Sequence, residues 1–418
     1  MSQLLSDPSD ATHLVLRSNF GLLTTRDTGQ NWDLVCEGGI GYQNIEPPVA
    51  LLGDGSLIAA LSSGIAHGDP SACNFGPASG VSAYVADVSR VPGTPASAVA
   101  VSVDPSASSS QVWQSNDGSS WAALGSALSD LSAVTLDVAA DDASIVYVSG
   151  TTQSAALSGV LARSADGGQT WARYAVPGAS KVSAPYIAAL SASDHQVVYV
   201  RLSGTPGRLL VTRDGGDHFD SALDFTGPFD GFALSPDGQF ALASGRIDGV
   251  WRAPMSTLAF ERLSCAKIRC LSWSESGLFA CADEFEAGFL VGQSPDQGAS
   301  FAPVLHLSCL RGPLSCAPSS TVGAVCAQAW PGISEQLGSD CAAASSFMPS
   351  TQCRDAGSAP SDAAPPGSDA SPTSDGGQPG PGVTPIRSAA LSARGGCACN
   401  AARGSSESWP WLSVLALG

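Results

Sequence analysis

The sequence predicts an all-β fold, a β-propeller of seven four-stranded blades, followed by a Cys-bearing segment and a disordered Pro/Ser/Gly linker and tail. Three observations lead to this prediction. A short turn motif returns at a period of about 45 residues, which is a typical length for one propeller blade. Short apolar runs stand between turn residues, as in strands that are buried on both faces. The 418 residues include 46 glycines and 28 prolines, which suits a chain with many tight turns.

The turn motif, which we call the box, has a small residue, then Asp two positions later, Gly two positions after that, and a closing aromatic residue. Five copies are recognisable, and their aspartates lie 90, 49, 48 and 82 residues apart. Two gaps are one blade long and two are close to two blades, so each long gap predicts a degenerate copy, at 68–75 and at 252–260. The box aspartates are Asp27, Asp117, Asp166, Asp214 and Asp296, and the closing aromatic residues are Trp32, Trp121, Trp171, Phe219 and Phe301.

The residues that flank the boxes repeat as well. A turn precedes each of the apolar runs 145–148, 197–200 and 239–242, and such runs read as buried strands. The box residues have a local structural explanation. Asp accepts hydrogen bonds from backbone N–H groups further along a tight turn, Gly adopts positive φ without steric cost, and the aromatic ring is buried between sheets.

These residues resemble the Asp-box (BNR) repeats of sialidases, sortilin-type receptors, xyloglucanases and photosystem assembly factors. The resemblance covers roughly residues 1–310. It implies that the box aspartates are structural turns at the periphery of the blades. It also implies that a ligand binds on the face opposite the boxes.

Composition and charge exclude several classes of protein. The formal net charge is −18, and an acidic surface repels phosphate backbones, so we expect no nucleic-acid partner. Lysine occurs only at Lys181 and Lys267, and no apolar run reaches the roughly 20 residues of a membrane helix. The histidines are scattered and no Cys pair has C-x-x-C spacing, so we expect no metal and no cofactor. We expect a monomer.

The twelve cysteines predict disulfides and a secreted or cell-surface (outer-membrane-associated) protein, with buried free thiols as the alternative. The N-terminus carries neither the charged nor the apolar region of a signal peptide. A misassigned start, a missing upstream domain and a cytosolic location are the possible explanations. We favour the first two, because the chain begins within a running repeat. The candidate disulfide cysteines are Cys36, Cys73, Cys265, Cys270, Cys316, Cys326, Cys341 and Cys353.

The pattern divides the chain into four parts: a propeller at 1–330, a Cys-bearing capping segment at 331–353, a disordered linker at 354–386 and a tail at 387–418. Within the first part, 309–330 is expected to close the ring beside the N-terminal repeat, with strands at 312–316 and 322–326. Cys316 and Cys326 would then lie on adjacent strands. The linker has too few apolar residues to offset the entropy of ordering.

The tail carries Cys397 and Cys399 in a Gly-Gly-Cys-x-Cys element, followed by an apolar end. With the preceding linker it resembles the C-terminal sorting signal MYXO-CTERM, although the full apolar span and the terminal arginine cluster are missing. The resemblance implies processing near the cysteines and anchoring at a membrane or cell surface.

No catalytic motif is recognisable. Arg17, Arg163, Arg201 and Arg246 lie in no local motif, and 38–42 reads as an inter-blade loop rather than a dinucleotide site. Glycosidases need two carboxylates at a suitable separation. The densest acidic loop is Asp283, Glu284 and Glu286, for which a solvated loop is the simpler interpretation. Further carboxylates expected in loops between strands are Glu37, Asp224, Asp230 and Asp248.

Three functions are therefore compared. The preferred one is a non-catalytic, secreted or cell-surface propeller that binds a protein or glycan on the face opposite the boxes. The alternatives are a sialidase- or xyloglucanase-like glycoside hydrolase that uses a carboxylate pair, and a chaperone like the photosystem assembly factors. Two carboxylates, or three arginines, that converge on the central face opposite the boxes would favour the hydrolase.

Overall fold

The computed structural model describes residues 3–43, 45–154, 158–338 and 340–341. They form seven antiparallel sheets of four strands, each built from four consecutive strands of the chain. The predicted seven-bladed propeller is therefore confirmed.

The strands of blades 1 to 4 are β1 (Gln3–Ser6), β2 (Leu14–Ser18), β3 (Gly21–Thr25), β4 (Asp33–Cys36), β5 (Val49–Leu51), β6 (Leu57–Leu61), β7 (Gly64–Gly68), β8 (Phe75–Pro77), β9 (Val85–Arg90), β10 (Ala98–Asp104), β11 (Ser109–Ser115), β12 (Ala122–Ser129), β13 (Ser132–Val138), β14 (Val146–Thr151), β15 (Gly159–Ser164) and β16 (Ala172–Ala175).

The strands of blades 5 to 7 are β17 (Pro185–Leu190), β18 (Val198–Leu202), β19 (Arg208–Thr212), β20 (Asp220–Asp224), β21 (Gly231–Leu234), β22 (Phe240–Gly245), β23 (Gly249–Pro254), β24 (Glu261–Ser264), β25 (Ile268–Ser274), β26 (Gly277–Ala282), β27 (Val291–Ser294) and β28 (Ala302–Leu305). The helices are α1 (Glu37–Ile40), α2 (Glu284–Ala287) and α3 (Thr321–Leu337), and Leu307–Cys309 form a 3₁₀ turn.

The up-and-down order of the strands gives the ring two faces. The turns that join first to second and third to fourth strands lie on one face, which also carries the boxes, and we call it the box face. The turns between second and third strands and the connections between blades lie on the other face, which we call the mouth face.

The core of the molecule lies between neighbouring blades. The middle strands are buried on both sides, as in β18, where Val198 and Val200 point to one neighbouring sheet and Tyr199 to the other. Each of six apolar clusters joins adjacent blades, and the largest joins blades 7, 1 and 2 with α3. The apolar runs are therefore strands because both of their faces are covered.

The box glycine at the fifth motif position packs against the preceding blade. A Cβ atom at Gly168 would lie 2.7 Å from Leu124 Cδ2 of blade 3, and one at Gly29 would lie 2.4 Å from Val304 Cγ1 of blade 7. Both glycines also have φ near +90° (91° and 89°). At the fourth motif position, Thr28 and Gln297 adopt positive φ although they are not glycines. The fifth position requires Gly for two reasons, its positive φ and its close approach to the preceding blade.

We therefore expect Gly168→Ala to destabilise the protein by about 2–4 kcal/mol, because it adds overpacking to a left-handed backbone. Gly167→Ala, in the same box, is the matched control. It has φ of 69° and no atom within 4 Å of its Cβ position, so about 1 kcal/mol is expected. Urea denaturation measures both values, and equal losses would contradict the proposed contact between blades.

The first and last blades meet without sharing a sheet among the described strands. The innermost strands β1 and β25 lie side by side, with Ser6 Oγ 3.3 Å from Ser272 Oγ. The chain that leaves blade 7 then continues along the edge of blade 1. Leu34 N donates to Gly312 O and Leu314 N donates to Leu34 O, both at 2.8 Å.

The prediction of a strand at 322–326 is wrong, because these residues lie in α3. The Ser320 side chain caps the helix by accepting a hydrogen bond from Gly323 N. Val322 and Cys326, four residues apart, are both fully buried on one helix face. The small apolar residues of this segment fit both the two-residue period of a strand and the 3.6-residue period of a helix. The capping serine favours the helix. The segment 312–316 contributes only an isolated parallel bridge, Pro313 with Leu34.

The expected placement of Cys316 beside Cys326 is likewise wrong. Cys326 on α3 is bonded to Cys36 of blade 1, and Cys316 is bonded to Cys73 of blade 2. Cys270 is bonded to Cys281 across β25 and β26, and Cys309 to Cys341. Cys265 is also disulfide-bonded.

We call residues 309–338, with their disulfides to blades 1 and 2, the clasp. Helix α3 continues through position 331, where the capping segment was expected to begin. Cys353, Cys397, Cys399 and the predicted linker and tail lie outside the described residues. In the described part of the chain, no helix has the length and apolar character needed to cross a membrane.

Candidate functional site

A cavity of about 620 Å³ lies at the centre of the ring, on the mouth face. We call it the mouth cavity. Its walls are the first strands of the blades and the connections that precede them, because these surround the axis of the ring. The residues with polar or aromatic side chains that line it are Gln3, Arg17, Glu46, Tyr84, Asp87, Thr135, Tyr186, Arg201, Asp230 and Phe232.

Arg201, at the end of β18, is buried in the wall of the mouth cavity. Its guanidinium lies over the Tyr186 ring, 4.3 Å from the ring centre, in the geometry of a cation–π contact. Its Nη1 donates to Phe229 O at 3.4 Å. Burial lowers the pKa of Arg201 to about 10, so the side chain stays charged at neutral pH.

Arg17, at the end of β2, enters the cavity from blade 1. Its Nη1 donates to Pro47 O at 3.2 Å, and its Nη2 lies 3.8 Å from Glu46 Oε2. The buried Nε has no hydrogen-bond partner. Burial also lowers the pKa of Arg17. The guanidinium is thus held in place with part of its donor capacity unused.

Asp87 on β9 is the carboxyl group with the most perturbed environment in the cavity. Desolvation raises its pKa to about 7, opposed by hydrogen bonds from the backbone N–H groups of Leu136 and Val88, each 3.0 Å. Asp137 of the next blade adds to the rise. Burial also raises the pKa of Asp137, which accepts a 2.9 Å hydrogen bond from Ser89 Oγ.

Asp230 and Arg246 form a two-point ion pair at the rim of the cavity, with Nε 3.0 Å and Nη2 3.2 Å from the two carboxylate oxygens. Such pairs hold both side chains in one orientation. When Arg17 and Arg201 are included, the number of arginines around the cavity is close to the number of carboxylates. The cavity is therefore polar but carries little net charge.

The acidic loop does not line the cavity. Asp283 caps α2 by accepting from Phe285 N at 3.1 Å, and it pairs with Arg269. Glu284 accepts from Leu307 N and lies 3.0 Å from His306 Nδ1. Glu286 pairs with Lys267 at 3.1 Å. Each carboxylate thus stabilises the loop around α2.

The box aspartates lie on the opposite face and bond within their own turns. Asp166 accepts from the Thr170 hydroxyl and backbone N–H and from Ser164 Oγ. These bonds, led by the Thr170 hydroxyl, lower the pKa of Asp166 to about 2. The equivalent hydrogen bonds surround Asp27, Asp117, Asp214 and Asp296.

The closing aromatic residues lie beside these turns. Trp32 Nε1 donates to Gly29 O at 3.0 Å, and Trp121 Nε1 donates to Gly118 O at 2.9 Å. The degenerate copy at 68–75 forms the same kind of turn, in which Asp69 accepts from Cys73 N and Asn74 Nδ2. The copy at 252–260 forms a turn with Leu258 at φ of 50°.

Arg17, Arg201, Arg246 and Asp230 are candidates in the sequence, but no sequence pattern predicts that they lie together. Glu37, Asp224, Asp248, Arg163 and the acidic loop do not line the cavity. Tyr84, Asp87 and Tyr186 line the cavity but were not predicted as site residues from the sequence. The available signal was a polar or aromatic residue at the start of a blade's first strand, where side chains point toward the ring axis.

No family model and no curated protein matches the chain. Among solved structures, an ancestral GH74 enzyme aligns with a TM-score of 0.55 and 14% identity, over 72% of this chain and 45% of that enzyme. The fold is a β-propeller. This chain spans less than half the length of the GH74 enzyme, so the likeness establishes the fold alone.

Two further solved structures align with lower TM-scores. The β-propeller domain of Cps50 (Swd1) from Myceliophteria thermophila has a TM-score of 0.48 and 10% identity, over 68% of this chain and 93% of that domain. YCF48 from Cyanidioschyzon merolae has a TM-score of 0.46 and 14% identity, over 66% of this chain and 90% of that protein.

Proposed function

We propose that this protein is a secreted or cell-surface propeller that binds a protein or glycan ligand in the mouth cavity and catalyses no reaction on it. The observation that carries the proposal is the lining of the cavity by Arg17, Arg201, Tyr84 and Tyr186, opposite the box face. Concave sites with a few oriented polar groups are the usual places for ligands.

The charge balance favours a polar ligand of low net charge. The arginines and carboxylates around the cavity offset one another, and the aromatic rings of Tyr84 and Tyr186 offer flat surfaces for stacking. Sugar hydroxyl groups and peptide groups both satisfy these donors and acceptors. The volume of about 620 Å³ suits a ligand of a few residues.

The proposal extends to family and location. The hydrogen bonds around the box aspartates support membership of the Asp-box (BNR) repeat propellers. The disulfides that link the clasp to blades 1 and 2 support an oxidising compartment. We also propose that the chain is monomeric and that Cys397 and Cys399 belong to a sorting signal.

A glycoside hydrolase is the second candidate, and the environment of Asp87 favours it. A carboxyl group with a pKa near 7 in a cavity is suited to general acid catalysis. Asp87 and Glu46 both line the cavity, which makes them the pair to test. Asp87 already accepts hydrogen bonds from Leu136 N–H of the next blade and from Val88 N–H of its own strand, which supports the non-catalytic role.

A glycan array and a panel of chromogenic glycosides test the proposal on the full chain. We expect binding without hydrolysis, and Tyr84→Ala should weaken binding about tenfold by removing an exposed ring. Arg213→Ala, an exposed side chain on the box face, is the control and should bind normally. Hydrolysis that disappears in Asp87→Asn would overturn the proposal in favour of the hydrolase.

A further inference from the structure

Large apolar side chains are exposed on one face of the ring. In the described part of the chain six such residues are exposed, and five of them lie on the mouth face. Tyr84 belongs to the mouth cavity, and the sixth, Val325, lies on α3. The other four surround the cavity at different blades, and we call them the apolar crown: Ile45, Val182, Ile247 and Phe285.

The crown residues are held outward by turns with many hydrogen bonds. Phe285 is 84% exposed although it lies in α2, whose N-terminal end is secured by the Asp283 cap and by the contact of Glu284 with His306. Because these contacts hold the helix turn in place, the apolar ring of Phe285 stays in water, which is unfavourable in free energy. That cost is recovered when a partner covers the ring.

Ile247 and Val182 are held in the same way. Asp248 accepts hydrogen bonds from the backbone N–H groups of Thr226 and Gly227, and Arg246 pairs with Asp230. Ile247 stands between these two anchors and is 63% exposed. Val182, 85% exposed, lies in the turn closed by reciprocal bonds between Ser180 and Ser183.

The two faces also differ in charge. The turns of the box face hold fifteen carboxylates and two arginines, whereas the turns of the mouth face hold eight carboxylates and three cations. The box face is therefore strongly hydrated and unsuited to apolar contact. Arg17 and Arg269, at the mouth-side ends of their strands, pair with two of these eight carboxylates. The mouth face thus combines apolar side chains with a small excess of negative charge.

We propose that the mouth face docks a protein whose contact surface is apolar and edged by lysine or arginine. This inference rests on the proposed ligand-binding function and narrows the ligand to a protein. The apolar side chains of this partner protein would cover the crown, and its basic edge would complement the excess of carboxylates. A projecting loop of the partner would enter the mouth cavity.

Other occupants fit the surface less well. A glycan makes no use of a phenylalanine and an isoleucine separated from the cavity. An anionic bilayer is repelled by a chain with a net charge of −18. A second copy of the chain would bring two acidic mouth faces together. Binding of each of these occupants is measured in the experiments below.

The test uses the full chain and two immobilised libraries of short peptides. Leucine and phenylalanine alternate with lysine in one library and with glutamate in the other. We expect binding to the lysine library, weakened by salt, and a loss of about tenfold or more in the double variant Ile247→Ser with Phe285→Ser. Arg213→Ala, an exposed side chain on the box face, is the control and should bind normally.

Several outcomes would overturn the inference. These are equal binding to both libraries, no binding to either, and salt-sensitive binding that the double variant retains, which would assign the contact to the box face. Adsorption to phosphatidylcholine or phosphatidylserine vesicles, or self-association in sedimentation that the double variant abolishes, would also overturn it.

Failure of this inference is distinguishable from failure of the proposed function. If Tyr84→Ala weakens glycan binding while the crown variant changes no binding, the cavity binds its ligand and the protein-docking inference fails. If no glycan and no peptide binds the wild-type chain, both proposals fail.

Discussion

Replacing Cys36 and Cys326 with alanine is expected to lower the free energy of unfolding by about 4 kcal/mol. This disulfide joins residues 290 positions apart. Because the bond from Cys73 to Cys316 remains in the variant, the loop that it closes in the unfolded chain is about 50 residues long, and closing it removes entropy from that chain. The disulfide is also the covalent link between α3 and blade 1. Urea denaturation of the oxidised proteins measures the loss.

The control is the double variant Cys270→Ala with Cys281→Ala, which removes a disulfide between residues only 11 positions apart. Its cysteines are similarly buried, so the cavities left behind are comparable. The shorter loop predicts a loss of about 3 kcal/mol. Equal losses would show that the clasp does not stabilise the ring by closing the chain.

We further propose that the clasp makes the seven blades one cooperative unit. Deleting 309–330 removes the hydrogen bonds of Leu34 to Gly312 and Leu314 and both disulfides to blades 1 and 2. A protein with this deletion should unfold over a broad range of temperature. A single sharp calorimetric transition would contradict this.

Asp87→Asn is expected to change how stability depends on pH. The raised pKa means that the folded protein keeps a proton on Asp87 between about pH 4 and pH 7, where the unfolded chain has lost it. This contribution to stability is fully present below pH 4 and is lost as pH rises through 7. The slope is at most about 1.4 kcal/mol per pH unit, or about 4 kcal/mol over the window.

The difference in unfolding free energy between Asp87→Asn and wild type isolates this effect. Groups that do not interact with Asp87, such as the buried His13 with its lowered pKa, contribute equally to both proteins. We expect the variant to gain relative stability from pH 4.5 to pH 7.5, because Asn retains an acceptor for Leu136 N–H. Asp130→Asn is the control, a half-buried residue in the turn after β12 with φ of 51°, and a parallel gain there would contradict the assignment to Asp87.

The fold was predictable from sequence because its signals are local. Asp166 and Gly168 form their turn almost entirely with residues of the same box, so the motif alone identifies the turn. Its recurrence at a constant period then counts the blades. Buried runs such as 145–148 identify the middle strands without knowledge of their neighbours.

The clasp and the cavity were not predictable in this way. Val322 and Cys326 suit a strand or a helix, and the only local signal for the helix is a single capping serine, Ser320. Disulfide partners more than 240 residues apart leave no trace in spacing. Tyr84 and Tyr186 lie 102 positions apart, and only closure of the ring brings them to one cavity.

The clasp has a mechanical consequence. A pulling force applied to the chain beyond Cys341 reaches the ring first through the bond from Cys341 to Cys309, next to blade 7, and then through the two disulfides into blades 1 and 2. Covalent bonds, rather than the hydrogen bonds between strands, therefore carry the tension. The load is divided among three blades, so the ring resists being peeled open from that side.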